Sequence, residues 1–116
     1  MSDFYDRQHD KAYTRVYKEQ TADILKTWGD FNTAVFAEDG AREIPKKFRE
    51  LIAVAVALTT QCAYCIEAHT NAAVASGATD GELAETAWVA TALRAGGGFA
   101  HGRLAFKFAE EAGHQH

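Results

Sequence analysis

The sequence predicts an all-α fold, and three observations carry that expectation. Apolar residues recur at three- and four-residue spacing along most of the chain. A single proline interrupts 116 residues that are rich in alanine, the strongest helix former. Only residues 51–58, LIAVAVAL, alternate large and small apolar residues as a buried strand would, and no second convincing strand is present to pair with them.

Residues 1–10 are polar with scattered aromatics and read as a loose arm. Over residues 11–37, Val16, Ile24, Leu25, Trp28, Phe31 and Val35 share helical spacing. That stretch reads as one helix or two, ending before Glu38-Asp39-Gly40. Pro45 suits the first turn of the next helix, which runs to about Thr60. Lys46, Lys47, Phe48, Arg49 and Glu50 extend the pattern backwards in residues compatible with helix. Such a helix is apolar almost all round, so most of its sides need cover. In a chain this small, other subunits are expected to supply part of it.

Cys62 or Ala63 opens a further helix reaching Ser76, and Gly77 stands where a left-handed cap belongs. Thr79 and Glu82 have capping-box spacing. They open a helix over residues 80–94, with Leu83, Ala87, Trp88 and Ala90 facing inward. Gly96, Gly97 and Gly98 are expected to break it. A last helix over residues 99–111 carries Leu104, Phe106 and Phe108, and residues 113–116 form a mobile tail. Length and pattern fit one domain over residues 1–116, without internal repeats.

Composition narrows the function. The chain has 12 basic and 16 acidic residues, a net charge of −4, and no basic stripe, which argues against a nucleic-acid partner. The longest apolar run is eight residues, far short of a membrane span, and no leader-like segment opens the chain. A cytoplasmic protein is expected. In that reducing compartment a CxxC pair is catalytic or metal-binding more often than a structural staple.

Both cysteines lie in residues 61–69, QCAYCIEAH. On a helix, Cys62 and Cys65 are three apart, and Cys65 and His69 four apart, so all three share a side. At the helix N-terminus, free N–H groups and the dipole favour the Cys62 thiolate. The second thiol can resolve an oxidised first one, and an imidazole can carry the proton. One helix earlier, Glu50 shares a face with Val54, Ala57 and Leu58. A carboxylate on an apolar face needs a partner, either His69 or a cation such as Arg49. Two other arrangements stay open: two small buried thiols, or a zinc site of Cys62, Cys65 and His69 with an open position. His101 joins such a site only if the last helix folds back. Glu67 points away from the cysteines and reads as solvated.

Glu50, Cys62, Cys65 and His69 together carry a resemblance. The stretch 49–69, RELIAVAVALTTQCAYCIEAH, with residues 75–79, 94–96 and 101–102, resembles the alkylhydroperoxidase D-like group of the carboxymuconolactone decarboxylase family over residues 42–104. The resemblance implies an all-α fold with the CxxC opening a helix in a helical hairpin, assembled as a homotrimer or homohexamer. It implies a peroxidase or disulfide oxidoreductase in which Cys65 attacks the hydroperoxide and Cys62 resolves it. His69 and Glu50 would relay the proton. No bound cofactor is implied, but an external thiol reductant or adaptor protein is. Characterised peroxidases of the family carry histidine just before the second cysteine, where this chain has Tyr64, a poor base near neutral pH. Two alternatives accompany this reading: a lactone decarboxylase, which needs no dithiol, and a non-catalytic oligomer switched by the disulfide.

Overall fold

In the computed structural model, which describes residues 5–113, every element is helical. α1 (Arg7–Asp10) leads through a 3-10 turn (Lys11–Tyr13) into α2 (Thr14–Gln20) and α3 (Ala22–Val35). Of the two expectations for residues 11–37, one helix or two, the chain adopts the divided form, with α2 and α3 separated at Thr21, whose backbone is non-helical (φ −143°, ψ 50°). The ends expected to be loose lie partly outside the described residues, at 1–4 and 114–116.

α4 (Lys46–Thr60) is a helix, and Pro45 caps it from outside instead of forming its first turn. Its buried residues are Arg49, Glu50, Leu51, Val54 and Ala57. Of the face the sequence singled out, Glu50, Val54 and Ala57 are buried and Leu58 is half-buried, while Ile52 and Val56 remain exposed. The helix is thus covered on one side only within the chain. Gln61, in the left-handed region at φ 58°, turns the backbone from α4 into α5 (Ala63–Ala75). Its N–H and that of Cys62 both return to the Ala57 carbonyl.

α5 ends in a Schellman cap. Gly77, at φ 98°, lets the Ala78 N–H reach the Ala73 carbonyl and its own N–H reach Val74. The capping box then forms in both directions, Thr79 N–H to Glu82 Oε1 at 2.9 Å and Glu82 N–H to Thr79 Oγ1 at 3.1 Å. α6 (Asp80–Gly113) follows as one unbroken 34-residue helix. The predicted break at Gly96, Gly97 and Gly98 does not occur. Glycine weakens a helix by about 1 kcal/mol per residue but keeps its N–H donor, and the segments on either side are rich in alanine. A Cβ at any of the three glycines would meet no neighbour, so no close approach within the chain requires them.

α4 packs against both α5 and α6. Lys47 pairs with Glu82 at 2.9 Å, and Arg94 donates to the Thr59 carbonyl at the far end of α4. Of the residues predicted to face inward on α6, Ala90 is buried but Trp88 is 71% exposed. The chain is open in shape. Its radius of gyration is 19.6 Å, against about 13 Å for a compact chain of this length. Its accessible surface is 9008 Å², against about 6200 Å² for a compact monomer of this mass.

Candidate active site

The site is built where α4 and α5 face each other. Cys62 is the N-cap of α5, and its sulfur accepts the Cys65 N–H at 3.3 Å. The two cysteines are joined as a disulfide across a Cα–Cα distance of 5.3 Å. One turn further along α5, His69 Nδ1 lies 2.6 Å from Glu50 Oε2. Glu50 is 3% exposed, and the imidazole is the hydrogen-bond partner its carboxyl group finds there. A carboxylate accepts, which assigns the proton to Nδ1 and leaves Nε2 as the basic nitrogen.

His69 is fixed from its other side by Phe36, whose ring centre is 4.7 Å away at 32°. Phe36 follows α3 directly and is held there by Arg49. The buried Arg49 guanidinium donates to the carbonyls of Val35 (2.7 Å), Ala37 (2.5 Å) and Ile44 (2.8 Å). The Val35 and Ala37 carbonyls lie at and just past the C-terminal end of α3, so the guanidinium caps that end while also holding the Ile44 carbonyl before α4. Arg42 adds a bond to the Ala34 carbonyl at 2.8 Å. Arg49 is therefore not the partner of Glu50; it is the clamp that brings Phe36 over the imidazole.

Phe36, Ala53, Val56, Ala57, Thr60, Cys65 and His69 line an open cavity of about 270 Å³. Cys65 and His69 thus share one recess with a mostly apolar wall, and Glu50 stands behind the imidazole. Of the four residues singled out in the sequence, Cys65 and His69 line the recess, and Cys62 and Glu50 adjoin it as their bonded partners. The arrangement places an oxidisable sulfur, an oriented base and a small apolar pocket together, the elements of thiol chemistry on a small molecule.

A family model described as the carboxymuconolactone decarboxylase family matches residues 22–110. The chain belongs to the carboxymuconolactone decarboxylase family. A relative from Paracoccus denitrificans, called uncharacterized protein 4 in cox locus, is 47% identical over 77 residues, covering 66% of this chain and 67% of that one. A crystal structure of a protein from Methanobacterium thermoautotrophicum is 31% identical with a TM-score of 0.67, covering 76% of this chain and 98% of that one.

The family match begins at Ala22, so the segment before it lies outside the shared region. That segment also holds contacts the sequence did not suggest. Glu67 accepts a hydrogen bond from the Tyr5 hydroxyl instead of standing free in solvent. Tyr64 donates to Asp10 Oδ2 at 2.7 Å. His101 is exposed on α6 and is not brought to the recess. Among the described residues, no group of three His, Cys, Asp or Glu side chains converges as a metal site. No helix among them is long and apolar enough to cross a membrane.

Proposed function

We propose that this member of the carboxymuconolactone decarboxylase family is a thiol-dependent peroxidase, an alkylhydroperoxidase-like antioxidant working through Cys62 and Cys65. The observation that carries the reading is the 2.6 Å Glu50–His69 pair set against Cys65 in one recess. The Cys65 thiolate attacks the outer peroxide oxygen, becomes a sulfenic acid and releases the alcohol. His69 Nε2, oriented by Glu50, manages the proton directly or through one water. The Cys62 thiol then displaces hydroxide as water and closes the disulfide. An external dithiol, free or on an adaptor protein, opens it again by thiol–disulfide exchange. A protein disulfide can enter by the same exchange in reverse. No bound cofactor takes part in these steps. A reducing compartment such as the cytoplasm suits this cycle.

The proposed assembly is a homotrimer or homohexamer. The surface excess over a compact monomer and the exposed Trp88, Phe99 and Phe106 support it, since apolar area on this scale is covered in stable proteins.

The test is intact mass with thiol counting, after one equivalent of an organic hydroperoxide is added to reduced protein with a chelator present. Wild type should lose two protons rapidly, while Cys65→Ser should not react. Unreactive thiols in wild type would overturn the peroxidase reading. Turnover of a carboxymuconolactone-type lactone with both thiols alkylated would replace it with the reaction from which the family takes its name.

A further inference from the structure

The segment outside the family match reaches the CxxC turn itself. The Tyr5 hydroxyl donates to the Glu67 carboxylate, and the Tyr5 ring meets the Tyr64 ring edge-on at 4.7 Å. The Tyr64 hydroxyl donates to Asp10 Oδ2 at 2.7 Å. The same oxygen accepts the Asp6 N–H at 3.1 Å, so one carboxylate ties Tyr64 to the turn that begins α1. Tyr64 and Glu67 are three apart on α5 and share a face, while Cys65 and His69 lie on the next one. The segment therefore grips the cysteine helix and leaves the recess open. The Tyr64–Asp10 bond holds the Tyr64 hydroxyl above its ordinary value and the Asp10 carboxyl below its own.

We infer that Tyr64 is a positioning residue that couples the docking of residues 5–10 to the redox state of Cys62 and Cys65. The inference rests on the dithiol reading above but not on peroxide being the substrate. Tyr64 lies inside the ring that the disulfide closes. With the bond formed, the torsions of Ala63 and Tyr64 are confined and the phenol is presented to Asp10. With the bond open, docking must itself order that turn. Coupling is reciprocal, so a docked segment stabilises the disulfide by the same factor by which the disulfide favours docking. The reaction involved is complete with an external dithiol. One thiolate attacks a disulfide sulfur to form a mixed disulfide, and the second expels the remaining cysteine. Two electrons and two protons thereby pass to Cys62 and Cys65, and the reductant leaves as its own disulfide.

The experiment equilibrates the full chain in dithiothreitol buffers of fixed oxidised-to-reduced ratio and reads the disulfide fraction by alkylation and mass. Tyr64→Phe keeps the ring, and Asp10→Ala removes the acceptor. Each should be about three- to tenfold easier to reduce, the ratio one net hydrogen bond supplies. The double variant should shift no further than either single one, because both remove the same bond. In wild type, trypsin should cut after Arg7 and Lys11 faster in the reduced than in the oxidised protein, and the variants should lose that difference. An unshifted equilibrium in both variants, or equal cleavage in both wild-type redox states, would overturn the coupling. Hydroperoxide turnover is not read here. A protein inert to peroxide that shows the shift keeps this inference, and one that turns over peroxide without the shift loses only this inference.

Discussion

Along α4 and α5, polar groups find their partners within the chain. Glu50 meets His69, Arg49 satisfies three carbonyls, and the Cys62 sulfur caps its own helix. Beyond Gly96, α6 presents Phe99, Phe106 and Phe108 largely to solvent, with Arg103 over the Phe99 ring. The contrast separates two tasks. Site geometry is set by a few directional contacts inside one chain, while most of the apolar surface that would stabilise the fold is still uncovered. Hydrogen bonds need specific partners at specific angles, whereas apolar area needs only some other apolar area.

The sharpest way to test that division is at the sulfur itself. Cys65→Ser should abolish hydroperoxide turnover, and Cys62→Ser should leave a trapped sulfenic acid or mixed disulfide visible by mass. Full activity in Cys65→Ser would move the chemistry out of the α4–α5 recess altogether. Next in size is the orienting pair. Glu50→Ala should lower turnover about 10²-fold, the scale of one oriented proton-transfer group. It should also cost about 1–3 kcal/mol in denaturant unfolding, because the imidazole N–H loses its acceptor in a mostly buried place. A rate that stays within threefold would remove Glu50 from the relay.

The other region is tested by charge. Phe106→Asp should lower the particle mass seen by light scattering and lower the melting temperature. The rate per chain should fall only a few-fold, if the recess is complete in one chain. Loss of turnover together with mass would break the comparison, showing that another copy completes the site.

A smaller effect is expected in alkali. The Tyr5 hydroxyl is raised to about 12, first by loss of water around it and then by its hydrogen bond to the Glu67 carboxylate, with Arg7 opposing. Since its folded value lies above the ordinary one, its stabilising contribution is present below about pH 10 and is lost as pH rises through about 12. In an ultraviolet titration of the four tyrosines, the last tyrosinate to appear should vanish in Tyr5→Phe. On the acid side the sign reverses. Asp10, held low mainly by Tyr64 with help from the Asp6 N–H and His9, contributes above its ordinary value and loses that contribution as pH falls below it. Smallest of all, Gln61→Gly should change stability by less than about 1 kcal/mol. It relieves a left-handed backbone and frees the unfolded chain by similar amounts.

Much of this molecule is determined by sequence alone, and the reason is locality. The α4–α5 hairpin, the Gly77 cap and the Thr79–Glu82 box depend on residues within a few positions of one another. The grouping of Cys62, Cys65 and His69 follows from helical spacing, and Glu50 announced itself as a carboxylate on an apolar face. Tertiary structure decided what local pattern cannot contain. Arg49 became a clamp on α3 because three carbonyls 5 to 14 residues away converge on it. Phe36 came to rest on His69 through that clamp. Tyr5 and Asp10 found α5 across 62 and 54 residues, a pairing that leaves no periodic trace. The glycines of α6 stayed helical because propensity is a weak preference, summed over a long helix whose neighbours favour it. Periodicity records which side of a helix is apolar. What that side meets is settled only when distant segments compete to cover it.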